Sequence, residues 1–282
     1  MENYGHSSAT FQSFDGLKLF YQKWLSKDAK GIVVIAHGLG EHSSRYSNLL
    51  EELAGNSISF YALDHRGHGR SEGKRGHITS FNDFTTDLDS LVEMARKENP
   101  AIPVILLGHS MGGVIAFQYV LQYPQAVDAL ILSSAGLIPI LNVPGWLQSV
   151  VKVLSRIAPR LTISNGLDAS GLSHDQSVVA QYLDDPLVHD KVSVRWSAEF
   201  IAAGQESLRR AGELSLPLLI IHGQEDPIVD YQGSVKVMEL ASSPDKTLHI
   251  FEGLLHETMN ETPELRQDVL ARVGEWITAH LS

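Results

Sequence analysis

Short runs of apolar, mostly β-branched residues alternate with amphipathic segments along most of the chain, and this alternation constrains the fold more than any other feature. Continuous apolar runs separated by helices are typical of strands in a mostly parallel sheet that is covered on both faces. Strands are predicted at Ile32–Ala36, Ile58–Leu63, Val104–Leu107, Ala129–Leu132, Leu218–Ile221 and Lys246–Phe251. Helices are predicted at Phe81–Lys97, Met111–Tyr123, Tyr231–Ala241 and Pro263–His280. The pattern predicts an α/β fold.

Two segments depart from this rhythm. Phe11–Trp24 alternates around Asp15-Gly16, which predicts an antiparallel hairpin. Between about Gly136 and Gly212 the chain has helical periodicity, several Pro and Gly, and no convincing strand. A helical insertion in a parallel sheet is best placed over the carboxyl ends of the strands, where ligands bind. We therefore predict a core at 1–136 and 212–282 with a helical cap at 137–211; the alternative is a separate domain.

The composition excludes several classes of function. The 282 residues include 22 Lys+Arg and 33 Asp+Glu, a formal charge of -11, and no basic run with interleaved aromatics. Such a surface repels phosphate backbones and strongly anionic membranes, so no nucleic-acid partner is expected. The absence of cysteine fits a reducing cytosol. Met1–Thr10 lacks a signal peptide's basic and apolar parts and no apolar run reaches ~20 residues, so a cytoplasmic location is expected.

The pattern G-x-S-x-G, which marks a nucleophilic serine on a strand–turn–helix elbow, occurs around Ser71 and again around Ser110. Only Ser110 has the required context, because the predicted strand Val104–Leu107 runs directly into its turn and a predicted helix begins at Met111. Ser71 lies in a long, polar, Gly-rich loop. Ser110 is therefore the predicted nucleophile, and Ser71 is predicted to be a loop residue.

A serine nucleophile needs a base to accept its proton, and the base needs an acid that orients it. On elbows of this kind the order along the chain is Ser, then Asp or Glu, then His. The acid is expected in the turn after Leu218–Ile221, where Asp226 is held in an extended loop by Pro227. Glu225 and Asp230 are rival carboxylates in the same turn, and Asp226 has the alternative role of capping the next helix.

The base is expected in the loop after the last strand, and His256 lies there. His249 and His280 also come late among the 13 histidines, but His249 lies inside the predicted strand and His280 at the chain end. The pair His256-Glu257 begins like the zinc motif H-E-x-x-H, yet Asn260 replaces the second histidine, so no metal site is predicted. No G-x-G-x-x-G or P-loop pattern is present, and no cofactor is expected.

Acyl transfer to a serine also requires two backbone N–H groups aimed at the oxygen that becomes negative. One is expected from Met111, the residue after the nucleophile. The other is expected from Leu39, which lies between Gly38 and Gly40 in the loop after the first parallel strand. The flanking glycines let the backbone approach a substrate closely. Leu39 and Met111 are therefore the predicted oxyanion hole.

Several motifs together resemble one family. The stretch His37–Tyr46 (HGLGEHSSRY) resembles the H-G-x-G-E-H-x-x-R-Y stretch of monoacylglycerol lipases. Further similar segments are Asp64–Ser71, the elbow Gly108–Gly113, and the cap segments Leu172–Asp175 and Asp185–Val188. The resemblance runs from about Phe11 to Ile277. It implies the α/β-hydrolase fold, a small-molecule lipid ester as substrate, and hydrolysis through Ser110, Asp226 and His256.

The resemblance also implies substrate-binding roles for Glu41 and Arg45, near the glycerol end of the substrate. An i,i+4 ion pair that holds the start of a helix is the alternative role for these two residues. Some members of the family carry a second histidine three positions after the catalytic one, and this chain has Met259 there. This departure puts specificity for glycerol esters in more doubt than ester hydrolysis itself.

Three classes of function remain open on the residues alone. The first is a monoacylglycerol lipase that releases fatty acid and glycerol. The second is a lysophospholipase, general carboxylesterase or thioesterase with the same triad. The third, a remote alternative, is a hydrolase-like receptor that binds a small ligand with little turnover. Haloalkane dehalogenases and epoxide hydrolases use Asp at the elbow, so Ser110 argues against both.

The cap is predicted to contain an amphipathic helix at Gly145–Ile157. One face of this helix carries Trp146, Val150, Val153, Leu154 and Ile157, and the apolar surface is widened by Leu147 and Val151. Two hypotheses follow. The apolar face either covers the sheet and lines an acyl tunnel, or part of it makes transient contact with a neutral lipid interface, with Trp146, Lys152 and Arg156 at the level of the headgroups. The second hypothesis adds a peripheral membrane location to the cytoplasmic one.

Overall fold

The computed structural model describes residues 4–140, 151 and 153–281. These residues form one large and one small sheet. The strands are β1 (Gly5–Gln12), β2 (Lys18–Leu25), β3 (Gly31–Ala36), β4 (Ile58–Leu63), β5 (Val104–His109), β6 (Ala129–Ser133), β7 (Thr162–Ser164), β8 (Lys191–Ser193), β9 (Leu218–Gly223) and β10 (Lys246–Phe251).

The large sheet has the strand order β1-β2-β4-β3-β5-β6-β9-β10. Strands β1, β2 and β4 pair antiparallel, and every pair from β4 through β3 and β5 to β10 is parallel. The α/β fold class predicted from the apolar runs is confirmed. Because β5 is central, the loop that follows it reaches the carboxyl edge of the sheet, where neighbouring loops converge.

Helices cover both faces of the large sheet. The helices are labelled α1 (Ser47–Glu52), α2 (Asn82–Glu98), α3 (Met111–Gln122), α4 (Gln176–Asp184), α5 (Val194–Arg209), α6 (Gln232–Leu240) and α7 (Pro263–Ala279). Of these, α4 packs in a small third cluster with Ala169 and Leu172. Side chains of α2, α3 and α6 pack in one core cluster, and side chains of α1 and α7 pack in the other. Alternate residues of β3 belong to alternate clusters, as the two-residue period of a strand requires.

The first hairpin is longer than the sequence predicts. Strand β1 begins at Gly5 and pairs with β2 from Gly5↔Leu25 to Gln12↔Lys18, whereas the predicted hairpin begins at Phe11. Residues 5–10 are exposed on both faces of the ribbon, and none of them is a large apolar residue. They therefore lack the alternation of apolar and polar residues from which a strand can be recognised.

The segment between β6 and β9 also departs from its prediction. The prediction of no strand there is wrong, because β7 and β8 pair antiparallel in the small sheet. Each has only three residues, too few for a period of two to show. Within the predicted helix Gly145–Ile157, residues 153–157 are helical. The positions of Trp146, Leu147, Val150 and Lys152 lie outside the described residues.

Across the parts of the chain that the structure describes, no helix is long and apolar enough to cross a membrane.

Candidate active site

Ser110 lies in the sharp turn between β5 and α3, where its φ of 53° and ψ of −117° are values that L-residues seldom adopt. The turn is held by hydrogen bonds from Ser110 N–H to Ser133 O and from Gly136 N–H to Ser110 O, both 2.9 Å. A Cβ at residue 112 would lie 2.0 Å from the carbonyl oxygen of Ala36. Glycine is therefore required for α3 to pack this closely on β3, and the turn has the strained geometry of a nucleophile elbow.

Asp226 and His256 come from the loops after β9 and β10, and the parallel pairing of these strands brings the two loops together. His256 Nδ1–H donates to Asp226 Oδ2 at 2.6 Å. The N–H groups of Ile228 and Val229 donate to Asp226 Oδ1 at 2.8 and 3.0 Å. Because its Nδ1 carries the hydrogen, His256 has a lone pair on Nε2, which is the state a base needs.

The electrostatics of this pair favour an ionised acid and a more basic histidine. Burial alone would raise the pKa of Asp226, but the adjacent charge of His256 and the hydrogen bonds from His222 and His256 outweigh it, and this pKa lies well below its usual range. Burial alone would lower the pKa of His256, but the charge of Asp226 and their hydrogen bond raise it above its usual value. Each partner therefore stabilises the charged form of the other.

Three of the rivals considered from the sequence have other side-chain partners. The Ser71 hydroxyl donates to Asp64 O and accepts from Phe20 N–H at 2.8 Å, so it joins the loop to β2. Asp230 accepts from Gln232 N–H at 2.9 Å at the start of α6. The Nε2 of His280 lies 2.9 Å from Asp245. His249 lies within β10, and Glu225 lines the cavity, but the carboxylate that His256 contacts is that of Asp226.

Leu39 and Met111, the predicted oxyanion-hole residues, line the same cavity as Ser110 and His256. Met111 is the first residue of α3, so its N–H has no acceptor inside the helix. Gly40 has a φ of +77°, and a Cβ there would lie 2.4 Å from His189 O. The glycine therefore sets the backbone path beside Leu39.

Glu41 and Arg45 meet in a buried polar cluster that also lines the cavity. Their i,i+4 ion pair is present at 3.3 Å, and Glu41 Oε1 accepts from Gly38 N–H at 2.5 Å and from the Tyr46 hydroxyl at 2.9 Å. Burial alone would raise the pKa of Glu41, but the charge of Arg45 outweighs it and lowers the pKa to about 2. Glu41 is therefore ionised; its carboxylate holds the predicted oxyanion loop through Gly38 N–H, and its side chain also lines the cavity.

Glu257 completes this cluster, and the sequence reasoning missed it because it considered the residue only as part of a failed zinc motif. Arg45 Nη1 and Nη2 donate to the two oxygens of Glu257, both at 2.9 Å. Asn260 Nδ2 donates to Glu257 Oε2 at 2.9 Å. The guanidinium also lies 4.8 Å above the ring of Tyr182. A charged residue directly after the predicted base was the signal available in the sequence.

His109 packs beside the predicted base, with its ring centroid 5.0 Å from that of His256. Burial and, to a smaller extent, the charge of His256 lower the pKa of His109 to about 3. His109 is therefore neutral when His256 takes up a proton. Its Nδ1 lies 3.2 Å from Ser133 O, so it is oriented by the neighbouring strand.

The cavity that joins these groups has a volume of about 600 Å³. It lies between the carboxyl edge of the sheet and the segment inserted between β6 and β9. Its walls are mostly apolar, with the polar cluster of Glu41, Arg45, Glu257 and Tyr182 forming part of the lining. The apolar lining residues include Leu39, Met111, Ile140, Leu172, Trp196, Phe200, Ile201, Ile228 and Val229. An apolar pocket with a few convergent polar groups is the usual form of a site for an amphiphilic ligand.

Comparison with known proteins places the chain among serine hydrolases. The family model described as serine aminopeptidase, S33 (Hydrolase_4) matches residues 27–263. A monoacylglycerol lipase of Mycolicibacterium smegmatis is 39% identical over 277 residues, which cover 98% of both chains. The monoglyceride lipase of Homo sapiens is 34% identical over 94% of this chain and 88% of its own. A crystal structure of Paleococcus ferrophilus monoacylglycerol lipase has a TM-score of 0.83 at 33% identity, covering 98% of this chain and 99% of that one.

Proposed function

The chain belongs to the serine aminopeptidase S33 (Hydrolase_4) family and, within it, to the monoacylglycerol lipases, and we propose that it hydrolyses monoacylglycerols through an acyl-enzyme on Ser110. The observation that carries the proposal is the convergence, in one largely apolar cavity, of the strained serine, the imidazole of His256 and a cluster of charged groups. An apolar wall suits an acyl chain, and a polar cluster suits the hydroxyl groups of glycerol.

In the proposed reaction, Ser110 Oγ attacks the ester carbonyl carbon while His256 Nε2 accepts the hydroxyl proton. The carbonyl oxygen becomes negative and is stabilised by the N–H groups of Leu39 and Met111. The carbonyl reforms as the glycerol oxygen leaves with the proton from His256. Water then repeats the sequence on the acyl-enzyme, releasing the fatty acid and restoring Ser110. Asp226 stabilises the transient positive charge on His256 during both acylation and deacylation of Ser110.

The charge of the polar cluster favours a neutral headgroup over a phosphate. Glu41 and Glu257 are two carboxylates that share the one guanidinium of Arg45. The cluster therefore carries a net negative charge, and the bidentate pairing engages the guanidinium that would otherwise bind a phosphate. A lysophospholipid headgroup would meet this charge at short range, whereas glycerol hydroxyls can donate to the carboxylates. This argument favours monoacylglycerol lipase activity over the lysophospholipase alternative.

Specificity for monoesters follows from the same cluster. A site that hydrogen-bonds the free hydroxyl groups of a monoester binds it in preference to a triester, whose glycerol oxygens are esterified and cannot donate. Met259, where some relatives have histidine, is buried and lines a small pocket with Glu41 and Glu257, and its side chain has no hydrogen to donate. We therefore propose that Glu41, Arg45 and Glu257 together recognise the glycerol end, without a contribution from position 259.

We further propose that residues 137–211 form a cap over the cavity and that the cap docks on a neutral lipid surface. Exposed apolar side chains support the docking: Ile157 is 75% and Val153 57% exposed, and Ile140 is both exposed and part of the cavity lining. Leu161 and Ile163 are also exposed. The formal charge of -11 favours neutral over anionic lipid. A cap that docks in this way would deliver an amphiphilic ester from the interface to Ser110.

The substrate proposal is tested by comparing esters that share one acyl chain: monoolein, diolein, triolein, oleoyl lysophosphatidylcholine and oleoyl lysophosphatidic acid. Fatty-acid release from monoolein should have the highest kcat/KM, about 100-fold or more above triolein. Ser110→Ala is the control for background hydrolysis. Equal kcat/KM for monoolein and triolein would point to a general lipase, and a preference for either lysophospholipid would overturn the argument from charge.

A further inference from the structure

A second imidazole binds the carboxylate of Asp226. His222, near the end of β9, is fully buried and its Nε2 lies 3.0 Å from Asp226 Oδ2, the oxygen that also accepts from His256. The Nδ1 of His222 lies 2.7 Å from the hydroxyl oxygen of Ser234, which is buried on α6. A chain of hydrogen bonds therefore runs from Ser234 through His222 and Asp226 to His256.

The partners of His222 determine which of its nitrogens carries hydrogen. An ionised carboxylate only accepts, so Nε2 of His222 must carry the hydrogen that points at Asp226. Nδ1 faces the Ser234 hydroxyl, which can donate to it when the ring is neutral. In that form His222 supports the carboxylate without placing a second positive charge beside the His256 cation that forms during the reaction.

With His222 in place, every hydrogen-bonding direction of the Asp226 carboxylate is occupied. Oδ1 accepts from two backbone N–H groups, and Oδ2 accepts from two imidazoles. A carboxylate has about four acceptor sites, and all four are used here, so rotation of the Asp226 carboxylate would break hydrogen bonds. Without His222, Oδ2 would keep a single hydrogen bond, and the carboxylate could rotate or attract water.

We propose that His222, oriented by the Ser234 hydroxyl, is a positioning residue that holds the Asp226 carboxylate in the rotamer that engages His256. The effect of His222 on catalysis rests on the proposed function, whereas its contacts with Asp226 and Ser234 do not. His222 touches neither the substrate nor the reacting atoms, so its effect is transmitted through Asp226. Ser234 acts one step further away, by fixing the ring of His222 from α6.

Several charged groups act on His256, and the test must separate His222 from them. Asp226 faces His256 from the loop after β9, and Glu257 follows it in its own loop. Glu41 acts from the oxyanion loop and His109 from the end of β5. Of these four groups, Asp226 is the one that is hydrogen-bonded to His222, so a change in the titration of His256 on substitution of residue 222 reports on the Asp226 contact.

Two variants of equal length separate hydrogen bonding from packing. Glutamine in His222→Gln places an N–H close to the position of the imidazole Nε2, whereas methionine in His222→Met fills similar space without a donor. Removing the donor leaves Asp226 Oδ2 with one hydrogen bond, so the carboxylate can rotate away from His256 and stabilises the His256 cation less. We expect His222→Met to lower the pKa of His256 and to lower kcat by about 10- to 100-fold, because a hydrogen bond to a charged group is lost. His222→Gln should restore most of both.

The first measurement is the titration of His256 by NMR with 15N-labelled histidine, including the downfield proton between His256 and Asp226. It needs no substrate, so it tests the positioning role even where ester hydrolysis is absent. The second is the pH profile of kcat/KM on a soluble short-chain ester. If His222→Met and His222→Gln lower kcat equally and neither moves the titration of His256, the residue only fills space and the proposal is overturned.

Ser234→Ala keeps the test decisive where a substitution at His222 prevents folding. Loss of the hydroxyl frees the His222 ring to rotate, so the His256 titration should shift in the same direction as in His222→Met, by a smaller amount. A Ser234→Ala variant that matches the parent in both kcat and the His256 titration overturns the proposal as well. Absence of hydrolysis in the parent, combined with the expected NMR shifts, would instead reject the proposed function alone.

Discussion

Glu257 and Arg45 form a bidentate ion pair between the loop of His256 and the loop of the predicted oxyanion hole, with both N···O distances at 2.9 Å. The Glu257 side chain is 4% exposed and the Arg45 side chain 11%. Arg45 also contacts Glu41, whose carboxylate accepts from Gly38 N–H. This cluster therefore couples the position of the base to the position of the backbone donors.

The first prediction concerns the stability that this pair contributes. Glu257→Ala should lower the free energy of unfolding by about 3 kcal/mol, because a buried guanidinium is left with less compensating charge. Arg45→Ala should cost a similar amount, and the double variant should cost less than the sum of the two. Chemical denaturation of the four proteins measures the coupling energy.

A second pair in the same chain is the control for this measurement. Arg209 and Glu206 are joined by two hydrogen bonds of 2.6 and 2.8 Å, but both side chains are exposed to solvent. Their coupling energy should be much smaller than that of the buried pair, because solvent screens two exposed charges. Equal coupling energies for the exposed and the buried pair would show that burial contributes nothing to the role of Glu257.

The second prediction separates the two G-x-S-x-G serines. Ser110→Ala should lower kcat on a monoacylglycerol by about 10⁶, because the nucleophile, base and acid act as a unit. Ser71→Ala should retain the chemistry but lower the free energy of unfolding by about 1–3 kcal/mol, because Phe20 N–H and Asp64 O each lose a buried partner. Kinetics and thermal unfolding are measured on both. Loss of activity in Ser71→Ala, with activity kept in Ser110→Ala, would overturn the elbow assignment.

Local patterns explain why so much of the site could be predicted. The elbow around Ser110 depends on a strand, a turn and a helix that are contiguous in sequence. Asp226 and His256 each follow a recognisable apolar strand, so their convergence at one edge of the sheet follows from the parallel order. The same holds for Leu39, which lies after the first parallel strand.

The partners that the sequence did not reveal are joined by the packing of loops and helices, which no local pattern records. Arg45 and Glu257 are 212 positions apart, and no local pattern relates them. His222 looks like an ordinary end of a buried strand until the fold places Ser234 and Asp226 on opposite sides of its ring. Packing of loops on a finished sheet determines such pairs, and a single sequence carries no periodic signal for it.

The third prediction concerns the pH dependence of activity. The base must be neutral to accept the proton of Ser110. Because the charge of Asp226 outweighs burial and raises the pKa of His256, the acid limb of kcat/KM should have its midpoint above ~6.5, the ordinary value for histidine. Below that midpoint the rate should fall about tenfold per pH unit. A profile that is flat between about pH 5 and 8 would reject His256 as the base.

The fourth prediction concerns acid stability, through a stack of buried histidines beneath the predicted oxyanion loop. His37 and His65 have ring centroids 4.4 Å apart, and His37 and His68 5.4 Å. Burial lowers the pKa of each, most strongly for His65 and His68. The unfolded chain therefore takes up protons near pH ~6.5 that the folded chain does not, so stability is complete above that pH and falls below it.

Each such histidine contributes up to ~1.4 kcal/mol per pH unit below its unfolded value, until its folded pKa is reached. His256, whose pKa is raised, acts in the opposite direction. Denaturant unfolding at a series of pH values from 8 to about 5 measures the net slope. His65→Phe keeps an aromatic ring against Phe84. This variant should reduce the dependence of the unfolding free energy on pH by the contribution of one histidine, up to ~1.4 kcal/mol per pH unit. If the unfolding free energy of this variant depends on pH as that of the parent does, His65 does not contribute to the loss of stability in acid.

The last prediction concerns docking of the proposed cap. Ile157→Ser and Val153→Ser should each weaken binding to neutral phosphatidylcholine liposomes by about tenfold, because an apolar side chain that enters the interface contributes roughly 1.5 kcal/mol or more. Hydrolysis of a soluble short-chain ester should be unchanged, since neither residue lines the cavity. Cosedimentation with liposomes measures binding.

Leu240→Ser, at the end of α6, is the matched control: Leu240 is 47% exposed but lies outside the proposed cap. If the parent does not sediment, or if Leu240→Ser weakens binding as much as Ile157→Ser, the exposed residues of the cap are not a docking surface.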